Sequence, residues 1–280
     1  MKRLEGLLVH VALVAACAFA VYPLLWVIIL AVSPAGPGTE ARVFPLARAP
    51  SLHNFEAVVG AGSAEGAGLF LRQLGNSLIV SLGTALVAVV VATPAAYALA
   101  RFRFVGARSG VKALLATQMF PAVASAVPLY LLLDALHLLD SITGLVLVYA
   151  STAVPFAIFQ LRGAFLAIPV DIEEAAMVDG ATRARAFWLV VLPAARPALA
   201  VTALFAFMSA WNEFILAATL LSRKSAYTLP VVIQSYVQEQ TTAWGPFAAG
   251  AILVSAPVMA LFYVAQKELV SGLTQGGVKG

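Results

Sequence analysis

Few residues of this chain have the types and spacing for chemistry, and what they offer is recognition rather than bond-making. Glu174, Ala175, Ala176, Asp179, Gly180, Leu192 and Pro193 punctuate a stretch polar enough to leave a membrane, and Glu213 stands inside an apolar run with Trp211 and Asn212 beside it. His10, His53 and His137 fall in different segments and no HExxH occurs, so a metallohydrolase set is missing. Cys17 is the sole cysteine, which excludes an intrachain disulfide and Cys-type metal clusters. No GxxxxGK[ST] phosphate cradle is present. The expectation is a chain with no catalytic residues, no metal site and no bound cofactor of its own.

Hydropathy dictates the elements that position these residues. The 280 residues are 62% hydrophobic and 11% charged, with a mean hydropathy of +0.95, whereas soluble domains run at about 45–50% apolar and about 25% charged. Six apolar runs, 7–32, 74–99, 113–133, 142–161, 198–221 and 245–266, each reach the roughly 20 residues that a helix needs to cross about 30 Å of hydrocarbon. They lack the alternation of barrel strands. The expected fold is an all-α integral membrane protein with six transmembrane helices in a single domain, 1–280.

With the N-terminus inside, Lys2, Arg3, Arg101, Arg103, Arg108, Lys112, Arg162, Arg183, Arg185, Arg196, Lys267 and Lys279 share the inner side, against five of the 17 basic residues outside. The positive-inside rule then places both termini and the segment 162–196 in the cytoplasm. The net charge of +4 follows from this topology and gives no reason to expect nucleic acid. Lys2 and Arg3 before an apolar run mimic a signal peptide, but that run continues well past the sites at Cys17 and Ala20, so an uncleaved first helix is expected.

Prolines 23, 94, 121, 128, 155 and 257 fall inside the runs. Each removes a backbone donor; they either kink the helices or, at Gln118 to Pro121 and Pro128, break the third one beside a water-filled path. The segment 33–72 reads as an irregular external loop with a short helix near 52–59. Between the fourth and fifth runs, Asp171 at an N-cap with Glu174 three residues on forms a capping-box pattern, so a helix is expected from Ile172. Gly180 suits the left-handed turn that ends it, and Thr182 can cap a second helix, Arg183 to Val191, terminated by Pro193.

The spacing Glu174-Ala175-Ala176, three residues, Gly180, nine residues, Val190, one residue, Leu192-Pro193 resembles the EAA signature of membrane subunits of binding-protein-dependent ABC importers, with Val190 replacing the usual Ile. Asn76-Ser77, Gln118 to Val123, Asp179 to Thr182, Ser225 to Leu229, Trp244-Gly245 with Phe247 to Ala249, and the ending Gly272 to Gly280 are similar to MalG-type permeases of maltose and maltodextrin importers. Ala210 to Phe214 is nearer to the wider sugar-permease family, trehalose and glycerol-phosphate systems included, and the external loop between the first two spans is short; both leave the sugar open.

The resemblance implies a type I importer permease in the bacterial inner membrane. It implies a MalF-like second permease subunit, two MalK-like ATP-binding subunits that use ATP and Mg, and an external sugar-binding protein. It makes 162–196 a coupling loop seated in the ATPase, through Glu174, Ala175, Ala176, Asp179, Gly180, Leu192 and Pro193. The tail 270–280, with Gln275, Gly276, Gly277, Lys279 and Gly280, would enter the ATPase dimer, or else simply fray. The loop 222–243, with Ser225, Tyr227, Gln234 and Tyr236, would face the binding protein, an ordinary surface loop being the alternative. Gln118, Trp211, Asn212 and Glu213 are candidates for the translocation path, although Glu213 equally suits a hydrogen bond to a neighbouring helix end. Glu174 either pairs with a basic residue of the ATPase or caps its own helix. An ion-coupled secondary transporter is the rival class, disfavoured because Glu213 alone is charged within the runs.

Overall fold

The computed structural model describes residues 2–33, 50–60, 66–237 and 243–276. Among them there are helices and no β-strand: α1 (Lys2–Val32), α2 (His53–Val59), α3 (Gly66–Arg101), α4 (Ala107–Thr117), α5 (Ala126–Ala135), α6 (Ile142–Ala167), α7 (Val170–Val178), α8 (Arg183–Ala186), α9 (Leu192–Ala194), α10 (Arg196–Trp211), α11 (Ile215–Leu220), α12 (Leu229–Gln234) and α13 (Trp244–Gly276). By length and composition α1, α3, α6 and α13 can each cross a membrane, and the bent stretch from Arg183 to Trp211 supplies a fifth candidate. These four helices continue past Pro23, Pro94, Pro155 and Pro257. The short helix expected near 52–59 is α2.

Two of the six expected runs are not single helices. The third, 113–133, is interrupted: α4 stops at Thr117, and Pro121 stands extended (φ −63°, ψ 126°) before a 3-10 turn at Ala122–Ser125 that leads into α5. A proline disfavours helical backbone at the residue before it and cannot donate to the turn behind it. Pro128, by contrast, sits in the first turn of α5, where no amide donor is needed, and breaks nothing. The fifth run, 198–221, divides at Asn212–Phe214 into α10 and α11, and α10 is bent by 72° from the helical stretch before it.

The chain forms two compact units. One comprises residues 1–72 and 232–257. Its core joins Leu30, Ala31, Val58, Ala248 and Ala249, and the buried Asn54 donates from Nδ2 to the carbonyls of Ala31 (2.9 Å) and Ser33 (2.7 Å), satisfying acceptors that the end of α1 leaves open. A side chain at Gly245 would come within 2.6 Å of that amide, so glycine is required there.

The second unit comprises 73–231 and 258–280. Its core includes Val80, Leu133, Leu145, Val148, Tyr149, Leu216 and Leu220. On α3 many of the buried positions are small, Ser77, Ser81, Thr84, Ala88, Ala92 and Ala96 among them, while Ile79, Leu82, Leu86 and Val90 are exposed. That inversion suits a helix in lipid: small side chains permit close packing inside, and bulky apolar ones meet hydrocarbon.

Candidate functional site

The EAA segment folds as a helix, a glycine turn and a second helix. α7 begins at Val170 with Pro169 at its N-cap and no side-chain cap, two residues earlier than the expected start, so the Asp171–Glu174 capping box does not form. Proline presets the backbone dihedral of a helix start, and the carboxylates of Asp171 and Glu173 then fall in the first turn, where the helix dipole favours them. At the other end Gly180 takes φ 91°. Its amide bonds Met177 O at 3.1 Å and that of Ala181 bonds Ala176 O at 3.0 Å, the paired closure of a Schellman turn.

Thr182 Oγ1 accepts from Arg185 N at 3.3 Å and opens α8, as its position after the turn predicts. Pro193 does not end the second helix at once: α8 widens into a π-turn at Phe187–Val191 and runs through α9 to Ala194. A wide turn ahead of a proline accommodates the missing donor without breaking the helix.

One carboxylate anchors this hairpin, and it is Glu173. Its side chain is 3% exposed and that of Arg101 5%; Arg101 Nε donates to Glu173 Oε2 at 3.0 Å, and the Tyr97 hydroxyl donates to Glu173 Oε1. Arg101 Nη2 also donates to Ile168 O at 2.9 Å, the carbonyl that closes α6. Around the acid stands an aromatic group: Tyr97 meets Phe187 at 4.5 Å, Phe165 at 5.8 Å and Phe102 at 6.0 Å between ring centres, and the Arg183 guanidinium lies 5.2 Å over the Phe102 ring. Sequence reasoning passed over Glu173. The available signal was Tyr97 and Arg101, four residues apart on one helix face at the end of a span, where a cation entering protein needs an acid.

The opposite face is open. Glu174, Ala175, Asp179 and Gly180 are exposed, Ala176 is half-buried, and Val178 is 87% exposed. Leu192 and Pro193 are half-buried. Beside it a cavity of about 410 Å³ is lined by Arg101, Arg103, Arg162, Arg183, Glu173 and Glu174 among others.

The four candidates for a path do not share one site. Gln118 lines a cavity of about 210 Å³ with Thr152, Phe156, Thr202, Phe205 and Ser209, and donates to Thr152 O at 3.1 Å. Trp211, Asn212 and Glu213 do not line it. Trp211 is 2% exposed and stacks on Phe207 at 5.4 Å, while the Asn212 amide turns back onto Met208 O. Glu213 accepts from the amides of Leu216 (2.8 Å) and Ala217 (3.1 Å) and from Tyr149 OH (2.6 Å). It satisfies two of the open donors of α11, and this explains why the fifth run divides where its one charge lies.

The loop after α11 is pinned from beneath. Gln73 Nε2 donates to Lys224 O at 2.9 Å, Asn76 Nδ2 to Ser225 O at 2.9 Å and Tyr227 O at 3.1 Å, and Leu229 N to Ser77 Oγ at 2.7 Å. At its start Asp140 Oδ1 accepts from the amides of Ser222 (2.6 Å) and Arg223 (3.0 Å). Burial pushes the Asp140 carboxyl up, but these two donors and the Arg223 charge outweigh it and hold it below its ordinary value. Ser225 and Tyr227 are half-buried and Gln234 is exposed. Tyr236 belongs to the first unit and packs against that unit's own core, and burial raises its phenol above the ordinary value. In the expected tail, 270–276 continues α13 through Gln275 and Gly276, while Gly277, Lys279 and Gly280 lie outside the described residues, as do 238–242 of the expected external loop.

Residues 88–274 match the family described as binding-protein-dependent transport system inner membrane component. The trehalose transport system permease protein SugB of Mycobacterium tuberculosis is 37% identical over 266 residues, 94% of this chain and 93% of that one. The maltose/maltodextrin transport system permease protein MalG of Vibrio vulnificus is 36% identical over 284 residues, 97% and 95% of the two chains. Among solved structures, a bacterial ABC transporter involved in import of the acidic polysaccharide alginate contains a chain with a TM-score of 0.77 at 26% identity, covering 95% of this chain and 96% of that one. The EAA spacing, the helical membrane fold and these similarities converge: this chain belongs to the binding-protein-dependent transport system inner membrane component family and is a multi-pass protein of the inner membrane.

Proposed function

We propose that this chain is a permease subunit of an ABC importer for maltose or maltodextrins. It shares the translocation path with a MalF-like permease, receives sugar from an external binding protein, and is driven by ATP and Mg bound to two MalK-like subunits. The observation that carries this reading is the hairpin: a helix, glycine turn and helix with EAA spacing, anchored from behind by Glu173 and bare on the face that bears Glu174, Ala175 and Val178. Small side chains and an exposed apolar residue suit close docking into a groove of another protein.

In this reading the hairpin and both termini are cytoplasmic, Glu174 pairs with a basic residue of the ATPase, and Gln275 to Gly280 reach the ATPase dimer. Ser225, Tyr227, Gln234 and Tyr236 meet the binding protein. Gln118 contributes to the sugar path, and Glu213 serves as the cap of α11. Both the maltose/maltodextrin and the trehalose permeases resemble this chain along nearly its whole length, so trehalose is the second reading.

The test is ATPase activity of the reconstituted complex with the binding protein empty, with maltodextrins, or with trehalose. Stimulation by maltodextrin supports the first reading and stimulation by trehalose the second; a complex that recruits no ATPase overturns both. Topology is checked separately in a Cys17→Ser background: a Glu174→Cys variant should react with an impermeant thiol reagent only from the cytoplasmic side.

A further inference from the structure

α7 follows α6 in the chain with only Ile168 and Pro169 between, so any displacement of the hairpin reaches α6 directly. α3 is different. Arg101 and Glu173 are 72 residues apart in sequence, and α3 is joined to the hairpin through side chains: the Glu173 carboxylate with Tyr97 and Arg101, and the rings about them. On the single guanidinium of Arg101 meet the end of α3, the last carbonyl of α6 and the first turn of α7. A buried ion pair of this kind adds little net stability, because desolvating both charges offsets most of their attraction, yet removing one partner strands the other in low dielectric.

The other end of the same helix carries the second attachment. Gln73, Asn76 and Ser77 hold the main chain of 224–229. From Asn76 to Arg101 the helix runs unbroken, about 38 Å at about 1.5 Å per residue, which exceeds the roughly 30 Å of a hydrocarbon core.

We propose that α3 is a strut between the two loops, clasped to the hairpin by Glu173, Tyr97 and Arg101 and to the loop 222–229 by Gln73, Asn76 and Ser77, so that occupancy on one side of the membrane is felt on the other. The proposal rests on the importer reading and deepens it: these are positioning residues that touch neither sugar nor nucleotide. Glu173 has no share in docking the ATPase; it makes the docked hairpin and α3 move together.

The experiment uses the reconstituted complex with saturating binding protein and sugar. It compares Tyr97→Phe, which removes one hydroxyl and keeps the ring, Glu173→Gln, Asn76→Ala, and the pair Tyr97→Phe with Asn76→Ala. Three quantities are read: ATPase subunit co-purified, ATP hydrolysed, and sugar taken up per ATP. Each single variant should co-purify the normal amount of ATPase while uptake per ATP falls, by roughly fivefold or more for Glu173→Gln, the lower end of a typical coupling. The pair should be no worse than its worse member, since both lie on one path.

Two results overturn the strut: uptake per ATP that stays at the wild-type value, or losses in the pair that multiply. If Glu173→Gln or Asn76→Ala does not assemble, Tyr97→Phe with Ser77→Ala decides by the same criteria. A wild-type complex without ATPase activity counts against the importer reading itself, and so is distinguished from failure of the strut.

Discussion

The hairpin 168–183 and the loop 220–229 are both held against α3, but by different means. The hairpin hangs on a side-chain pair, Glu173 with Arg101, supported by Tyr97 and a cluster of rings. The loop hangs by its main chain, with Gln73, Asn76, Ser77 and Asp140 bonding backbone groups of 222–229. A side-chain clasp depends on the identity of both partners and leaves the far face of α7 free. A backbone clasp is indifferent to the side chains of the loop it holds, so the residues displayed there can vary without loosening the loop.

That contrast predicts the largest effect at the charge pair. Glu173→Ala leaves a buried guanidinium without its acid and should destabilise the protein by about 3–5 kcal/mol; thermal unfolding in detergent should show it, and replacing Glu173 and Arg101 together by Met should recover most of the loss. A full loss in the double variant would show that the pair contributes net stability rather than specificity.

At the loop, Asn76→Ala leaves the carbonyls of Ser225 and Tyr227 without their donor and should cost about 1–3 kcal/mol. The signature should be local, faster hydrogen exchange at 225–229 with α7 unchanged. By contrast, Tyr227→Phe should change that exchange far less, because Asn76 grips the carbonyl of Tyr227 and the variant loses only the long, exposed bond from its hydroxyl to Ser222 O at 3.3 Å.

Gly180→Ala tests the turn that presents the open face. A side chain at φ 91° should cost about 1–2 kcal/mol, seen as a lower melting temperature with the Glu173 clasp intact.

The smallest effect is expected from pH at Asp140. Its carboxyl is held below the ordinary 3.8, so the folded state binds its proton more weakly than the unfolded one. The stabilisation is therefore present above the unfolded value and is lost as pH falls through the lower, folded one. Protection of the Ser222 and Arg223 amides, corrected for intrinsic exchange, should hold at pH 5 and fall only below about pH 4; Asp140→Asn should remove the pH dependence.

Much of this was legible in the residues. Six apolar runs identified a helical membrane protein, and four of them are single helices that match it. Gly180 and Thr182 behave as their types predict, because a left-handed turn and a hydroxyl cap are set within four residues of chain. Hydropathy does not register backbone continuity: Pro121 and Glu213 interrupt runs that remain apolar on both sides, and only the break at Pro121 was among the readings of the residues. Of two adjacent glutamates, the motif singled out Glu174, which is exposed. That its neighbour is the buried one could not be read from spacing.

The sequence by itself therefore determined the class of protein, the helical content and the turn that shapes the hairpin, since these follow from hydropathy and from interactions a few residues long. The tertiary structure decided which carboxylate is buried, that Tyr149 stands against Glu213, and that one helix grips both loops. Those outcomes depend on partners 64 to 152 residues away in the chain, and a charge becomes an anchor or a contact only when the fold decides which group stands beside it.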